Sequence, residues 1–153
     1  MGKAGKIIVG VLFSCLMFIP LVYAESLPVT SPFGWRIHPI SGTWKFHSGV
    51  DLGYEYGTPV NVLFPGQVIQ AGNYDDGYGN QVLVYHPDYD TYTRYCHMCE
   101  VTVNVGDYVE SGTIIGYVGS TGYSTGPHLH LEYIISDGSG GYVYADPLSL
   151  WGE

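Results

Sequence analysis

The sequence predicts an all-β domain, mainly antiparallel and folded as a sandwich or barrel, and three observations support this. Glycine makes up 22 of 153 residues, and 15 tyrosines accompany only 5 phenylalanines. Such a composition suits short strands and tight turns better than helices. Short apolar stretches alternate with Gly, Pro and Asn along the chain, as expected for strands and turns. After residue 24, no stretch has the three-and-four spacing of an amphipathic helix.

The predicted strands follow one another in a single continuous pattern, without linkers or repeats. Residues 25–34 are rich in Ser, Pro and Thr and indicate an extended lead-in, and a strand is expected to begin near Val50. The other predicted strands share a high content of Val, Ile, Tyr and Thr: 58–64, 67–71, 81–85, 91–97, 101–105, 113–118 and 128–135. One domain is therefore expected over residues 25–153.

The first 24 residues have the pattern of a secretory signal peptide. Two lysines precede an apolar run over residues 7–22, and the small residue Ala24 closes the segment. These three features are typical of a cleaved signal. A retained membrane anchor and a lipoprotein signal at Cys15 are the alternatives. The run is interrupted by Gly10 and Pro20 and is short for a membrane span, so we expect an exported and cleaved protein.

The charge of the chain disfavours nucleic-acid and membrane partners. Five basic residues stand against 14 acidic residues, a net charge of −9. Removal of residues 1–24 leaves 3 basic and 14 acidic residues and a net charge of −11. Phosphate backbones and anionic membrane surfaces repel such a chain. We expect no nucleic-acid partner, and no stable membrane insertion once the signal has been cleaved.

Two histidines, His128 and His130, occupy alternate positions of a predicted strand. Side chains at such positions point to the same face, about 6.6 Å apart, while Leu129 and Leu131 would point into a core. One imidazole can bind a metal while its neighbour handles a proton or a substrate oxygen. The alternative is a pair of surface histidines without a function.

His47 and Asp51 form a second element, and His97 a third. Two neutral imidazole nitrogens and one carboxylate oxygen are a ligand set of catalytic zinc, with a fourth position left for water. We interpret the segment between them as a loop that bends at Gly49 into a strand. A turn histidine with a capping aspartate is the alternative. His97, at the end of predicted strand 91–97, has no claim to function by itself.

Together and in this order, the three elements resemble the LytM/lysostaphin-type zinc metallopeptidases, the M23 family of peptidoglycan endopeptidases. The elements are His47-x-x-x-Asp51, Tyr95-x-His97-Met98 and His128-x-His130. The other motifs that carry the resemblance are Phe33-Gly34-x-Arg36-x-His38-Pro39, Gly49-Val50-Asp51-Leu52, Gly57-Thr58-Pro59-Val60, Gly77-x-Gly79-Asn80 and the segment from Gly119 to Pro127. The resemblance covers about residues 31–148, nearly all of the chain after the predicted signal peptide at 1–24, and implies a single M23-like domain at 25–153.

The resemblance implies a role for each of the five site residues. His47, Asp51 and His130 would bind one Zn²⁺ per chain in a groove formed by long loops. By the same resemblance, His97 and His128 would flank the metal-bound water as the catalytic residues. The sequence lacks the His-Glu-x-x-His helix that supplies a glutamate base, so this histidine pair would do that work. The implied protein is a zinc metalloendopeptidase that hydrolyses peptide cross-links of bacterial peptidoglycan by attack of a zinc-activated water. The alternative is a catalytically silent scaffold that binds cell-wall peptide or a partner protein.

The resemblance also implies partners and a location. The substrate would be stem and cross-link peptides of peptidoglycan, in the periplasm or at the extracellular cell wall. The acidic sequence after residue 24 shows no basic wall-targeting module, so delivery to the wall would depend on a delivery or activator protein or on confinement in a periplasm. We expect a monomer. The sequence leaves open whether the bond cut is D-alanyl-diaminopimelate or glycyl-glycine.

Other polar residues have two interpretations each. Glu132 shares a strand face with His130 and would either hydrogen-bond that ring or face solvent. Arg36 would form a structural ion pair or, less expected, contact a substrate carboxylate. His38 and His86 are expected to be structural residues of turns, although His38 could line the cleft. Five loop tyrosines would wall a groove or simply lie at turns: Tyr54, Tyr56, Tyr74, Tyr78 and Tyr123.

Cys96 and Cys99 flank His97 and depart from the family pattern. A local disulfide is the favoured interpretation, because an exported protein meets an oxidising compartment. A redox pair and a thiolate metal site are the alternatives. One pair cannot complete a four-cysteine site, and no thioredoxin-like pattern surrounds it.

Overall fold

The computed structural model describes residues 26–38 and 41–152. The strands within them are β1 (Val29–Ser31), β2 (Gly34–Ile37), β3 (Trp44–His47), β4 (Val50–Leu52), β5 (Pro59–Asn61), β6 (Gly66–Asn73), β7 (Asn80–His86), β8 (Thr91–Val101), β9 (Tyr108–Val109), β10 (Ile114–Val118), β11 (Leu129–Ser136) and β12 (Tyr142–Ala145). A short 3₁₀ helix, Pro147–Trp151, follows. The predicted signal peptide lies outside the described residues. Within them, no helix has the length and apolar character to cross a membrane.

The fold is an antiparallel β structure, which confirms the predicted fold class. The main sheet has the order β1-β4-β11-β8-β7-β6-β9, with β12 beside β11 and with β10 joining β8 to β5. A separate two-stranded ribbon is formed by β2 and β3. The order places β4, β11 and β8 side by side, and these three strands carry most of the predicted site residues.

β8 is the central strand, and it bends at His97. Residues 91–96 lie between β11 and β7, whereas residues 98–101 pair with β10. The register shifts between these two parts, and His97 has a positive φ of 63°. A bulge of this kind bends a strand and changes the direction of a side chain. The bend therefore turns the His97 ring away from the regular pleat and toward His130, with ring centroids 5.9 Å apart.

The hydrophobic core lies on one face of the central strands. Its buried members include Val50, Leu52, Val82, Val84, Tyr95, Met98, Ile115, Val118, Leu129 and Leu131. Burying each such side chain contributes about 1.5–3 kcal/mol. Leu129 and Leu131 point into this core as the strand alternation predicts, so that His130 is held on the opposite face of β11.

The ribbon of β2 and β3 has two different faces. Trp35 pairs with Phe46 and Ile37 with Trp44, and all four side chains are exposed. The other face carries the pair of Arg36 and Lys45. Because the guanidinium of Arg36 reaches Asp51 in β4, this basic face is the one turned toward the main sheet.

The structure corrects the predicted strand at residues 101–105. β8 already includes Val101, and the chain leaves the sheet after the Thr102 amide has donated to the Ile115 carbonyl in β10 (3.0 Å). The amide of Asp107 donates to the carbonyl of Asn104 (3.1 Å), and the amide of Asn104 donates to the Asp107 carboxylate (2.8 Å). This turn satisfies locally the backbone groups that a strand would pair. The ribbon, β9 and β12 are additional strands that the apolar pattern did not predict.

Candidate active site

Three side chains of the predicted metal site converge on one point. Nε2 of His47 lies 3.1 Å from Oδ1 of Asp51 and 3.1 Å from Nδ1 of His130. Nδ1 of His130 lies 2.8 Å from the same Asp51 oxygen. Ligands bound tetrahedrally at zinc-to-nitrogen distances of about 2.0–2.1 Å are themselves about 3.3 Å apart. The observed triangle is close to that spacing.

Neighbouring strands position these three residues. Asp51 in β4 is the register partner of His130 in β11, so that backbone hydrogen bonds hold these two side chains opposite each other. His47 ends β3, and the turn after it passes against β11. A β-carbon on Gly49 would lie 2.2 Å from the Leu131 carbonyl oxygen, so only glycine permits this approach.

The outer nitrogen of each metal-site histidine is occupied by an acceptor. Nδ1 of His47 donates to the Pro32 carbonyl (2.8 Å), and Nε2 of His130 donates to Oε1 of Glu132 (3.3 Å). These bonds assign the protons to the outer nitrogens. The two inner nitrogens and the Asp51 oxygen then present lone pairs to one another. A cation bound between them would accept all three lone pairs and remove their mutual repulsion. The donor set fits zinc, which commonly binds imidazole nitrogen and carboxylate oxygen.

The electrostatics of the cluster favour positive charge. Burial raises the pKa of Asp51, but its short contacts with His130 and His47 outweigh this effect and hold that pKa well below its usual range. Burial lowers the pKa of His130, yet its contacts with Asp51 and Glu132 raise it above the usual value. Two carboxylates therefore create a potential at this point that attracts a proton or a metal ion.

Glu132 is fully buried beneath His130, where it holds four partners. Besides the His130 ring, Oε1 accepts the hydroxyls of Ser48 and of Tyr78, the latter at 2.7 Å. Oε2 lies 3.6 Å from Nη1 of Arg94. The burial of Glu132 raises its pKa, but these partners, His130 first, hold it below the usual value. Of its two sequence-based interpretations, the structure supports the hydrogen bond to the His130 ring.

His97 and His128 lie side by side next to the metal-site cluster. Their ring centroids are 4.7 Å apart. Nδ1 of His97 donates to the Thr121 carbonyl (2.8 Å), and Nδ1 of His128 donates to the Gly126 carbonyl (2.9 Å). Both rings therefore keep Nε2 as an acceptor. Nε2 of His128 lies 3.8 Å from the Asp51 oxygen, which directs it at the same point.

His97 is held as a neutral ring. Burial lowers its pKa to about 4, and the hydrogen bond to Thr121 offsets only part of this effect. Its left-handed backbone is uncommon for a residue with a β-carbon and costs free energy. Tertiary hydrogen bonds maintain that conformation, because the His97 amide donates to the Tyr78 carbonyl (2.9 Å). The ring is thus fixed as a proton acceptor at neutral pH.

An open cleft of about 470 Å³ gives access to the cluster. One wall is the ribbon, with Arg36, His38 and Lys45. The opposite wall consists of the loops that carry Tyr78 and Tyr123. Loops and a ribbon therefore form a groove, as the sequence predicts, and the five predicted site residues lie together at its base: His47, Asp51, His97, His128 and His130.

The remaining tyrosines and His86 have structural contacts. Tyr54 packs against the core, the Tyr74 hydroxyl accepts the Ala71 amide, and Tyr56 is exposed. His86 is fully buried. Its Nδ1 donates to the Pro65 carbonyl (3.0 Å) and its Nε2 accepts the Thr93 hydroxyl (2.7 Å), which confirms the structural interpretation of this histidine.

The expected disulfide between Cys96 and Cys99 is wrong, because both are free thiols. Cys96 lies in the part of β8 that pairs with β11, whereas Cys99 lies beyond the bend at His97, in the part that runs beside β10. Burial raises the pKa of the Cys96 thiol, which disfavours the reactive thiolate. The Cys99 sulfur instead contacts the Tyr117 carbonyl (3.5 Å).

Sequence reasoning missed several residues of the site. Ser48, Arg94 and the Tyr78 hydroxyl surround Glu132, and Lys45 belongs to the cleft wall. The alternation of aromatic and basic residues around Lys45 was an available signal, since it marks a strand with two unlike faces.

The site combines a groove in an all-β fold, a donor cluster of two histidines and one aspartate, and two further imidazoles. These features are typical of the active site of a metal-dependent hydrolase. The profile of peptidase family M23 matches residues 45–142. This chain belongs to peptidase family M23.

Similar proteins agree with this membership. The DD-carboxypeptidase/endopeptidase Mpg of Neisseria meningitidis serogroup B is 44% identical over 113 residues, 74% of this chain and 25% of that protein. The peptidoglycan DD-endopeptidase ShyC of Vibrio cholerae is 38% identical over 102 residues, 66% of this chain and 23% of that protein. The catalytic domain of lysostaphin from Staphylococcus simulans has a TM-score of 0.72 and 35% identity, covering 83% of this chain and 93% of that domain. The chain thus matches about a quarter of the length of these curated relatives.

Proposed function

We propose that this protein is a zinc-dependent endopeptidase that hydrolyses peptide cross-links of bacterial peptidoglycan. In this proposal His47, Asp51 and His130 bind the metal, and His97 and His128 are the catalytic residues. The observation that carries it is the convergence of three donor atoms within 2.8–3.1 Å of one another, beside two imidazoles in an open groove. A zinc ion held there would supply a Lewis acid and lower the pKa of a water toward about 7.

The histidine pair would handle the protons of the reaction. His97 is neutral near pH 7 because its pKa is about 4, so its Nε2 can hold a water molecule as an acceptor. Nε2 of His128 points at the same position and can accept a proton or donate one to the oxygen that becomes negative. The backbone acceptors Thr121 and Gly126 fix both rings before substrate arrives. This fixed orientation lowers the entropic part of the barrier.

The shape of the cleft suits an extended peptide. The groove is open between the ribbon and the tyrosine-bearing loops, so a cross-linked peptide can lie across it without threading. The named activity of the relative ShyC supports peptidoglycan as the substrate. A catalytically silent scaffold is not favoured, because all five expected side chains are present and lie together.

Peptidoglycan digestion with metal depletion tests the proposal. The purified protein, incubated with peptidoglycan fragments, should release peptide products that mass spectrometry identifies, and a chelator should abolish release until zinc is restored. His97→Ala and His128→Ala should lose cleavage but retain zinc, whereas His130→Ala should lose zinc as well. Loss of zinc from His128→Ala would show that the division between ligands and catalytic residues is wrong. Cleavage that persists with chelator would refute the metal dependence.

Export, cleavage after residue 24, a monomeric state and a delivery or activator protein stay predictions. A mass measurement of the protein recovered from its native compartment would test the first two together. A mature N-terminus at Glu25 is the expected result.

A further inference from the structure

The basic side chains of the described residues are distributed unevenly. Arg94 is paired with the buried carboxylate of Glu132. Arg36 and Lys45, the other two basic residues in the described part of the chain, both line one wall of the cleft. A protein with 14 acidic residues thus places its two accessible cations at the proposed active site. The protein as a whole has a negative electrostatic potential, which repels anions, but two local cations make the potential in the cleft more favourable for an anionic ligand.

The positive charges of Arg36 and Lys45 also repel each other. Arg36 and Lys45 are register partners across the ribbon, and like charges directly opposite each other destabilise a strand pair. The guanidinium of Arg36 approaches Oδ2 of Asp51 only at 3.9 Å. Its Nε is buried without a hydrogen-bond partner, and such groups are rare in folded proteins. Two cations with one carboxylate neighbour at 3.9 Å leave this wall with an excess of positive charge.

From these observations we infer that Arg36 and Lys45 form a carboxylate-binding subsite that recognises a free carboxylate of the substrate peptide. The planar fork of a guanidinium matches a carboxylate, and an ammonium group adds a second charge-assisted hydrogen bond. This inference rests on the proposed function and names its substrate class. Peptides with free carboxylates, such as those joined from D-alanine to diaminopimelate, are preferred over uncharged glycine bridges.

Matched peptides test the inference. The probes are a cross-linked stem-peptide dimer with all carboxylates free, three dimers in which only the C-terminal D-alanine, only the diaminopimelate residues or only the D-glutamate residues are amidated, and a pentaglycine peptide with blocked termini. The wild-type protein should cleave the free form with a kcat/KM at least about tenfold higher than one amidated form, the effect of one charge-assisted hydrogen bond. The amidated form that loses this advantage identifies which carboxylate is bound.

Variants of the exposed Lys45 assign the effect to the ribbon, since this side chain lies on β3 and outside the proposed ligand set. Lys45→Gln should reduce the ratio between free and amidated peptides toward one, and Lys45→Arg should keep it. Gln67→Glu makes the same change of net charge at an exposed site on β6 outside the cleft, and it should keep the ratio. Equal cleavage of all dimers by the wild-type protein, or an unchanged ratio in Lys45→Gln, would overturn the inference.

Failure of the proposed function gives a different result, in which no peptide is cleaved. Calorimetric titration of the zinc-loaded protein with the same dimers then tests the subsite directly. Tighter binding of the free form, lost in Lys45→Gln, supports a carboxylate subsite in a protein that does not cleave. Equal binding of free and amidated dimers refutes it.

Discussion

Replacing Glu132 by Gln removes a buried charge while nearly preserving the shape of the side chain. The carboxylate is 0% exposed and compensates Arg94, whose side chain is 16% exposed, at 3.6 Å. Removing one partner of a buried ion pair costs about 3–5 kcal/mol, because the other charge stays buried. The amide also loses the charge that attracts the His130 N–H. Residues that support a metal-bound histidine typically change metal affinity about 10–100-fold.

Two measurements test this expectation for Glu132→Gln. Urea unfolding of the metal-free protein should show a free energy of unfolding lower by about 3–5 kcal/mol, and chelator competition should show zinc binding weakened about 10–100-fold. Glu100→Gln, on the exposed end of β8, is the matched control and should change stability by less than about 0.5 kcal/mol. If Glu132→Gln does not fold, Ser48→Ala removes one donor and should cost about 1.5 kcal/mol. Unchanged zinc affinity in a destabilised variant would mean that strand pairing alone orients His130.

Three other perturbations have defined outcomes. Gly49→Ala should lower the free energy of unfolding by about 1–3 kcal/mol, because the new β-carbon would collide with the Leu131 carbonyl oxygen. The control is Gly126→Ala, where a β-carbon would meet open space. Urea unfolding should show almost no change for this control. Zinc at 100 times its Kd should raise the free energy of unfolding by about 2.7 kcal/mol, and thermal unfolding of His130→Ala should show no such gain. Burial lowers the pKa of His86, so its contribution to stability is complete above its ordinary pKa and is lost as pH falls below about 6.5, with a slope of at most about 1.4 kcal/mol per pH unit. Urea unfolding between pH 7.5 and 5.5 should show that the difference in free energy of unfolding between the wild-type protein and His86→Gln becomes smaller as the pH falls. A difference that does not change with pH would mean that the fold does not lower the pKa of His86.

The parts of the site that local strand geometry determines were predictable from sequence. The core face and the polar face of β11 followed from the alternation of His128, Leu129, His130 and Leu131, because successive side chains of a strand point to opposite faces. The family resemblance, and not the spacing, then assigned His130 rather than His128 to the expected ligand set. The free thiols of Cys96 and Cys99 were not predictable in this way, because the predicted strand ended at residue 97 and left the position of Cys99 open.

The surroundings of Glu132 could not be predicted in the same way. Ser48 and Tyr78 lie 84 and 54 positions away from it in sequence, and Arg94 comes from a third segment. Only the sheet order brings these together, and no periodicity in the chain encodes that order. The ribbon was missed for another reason: its exposed face is the apolar one, which inverts the usual rule that apolar side chains point inward.

Asp51 and His130 are register partners in β4 and β11, so the backbone ladder alone brings two of the three proposed ligands together. A zinc finger, by contrast, folds only when its ion is present. We expect this protein to complete its fold first and to acquire the ion as a last step. The metal-free protein would then stay folded, and its proposed activity would depend on the concentration of available metal ion.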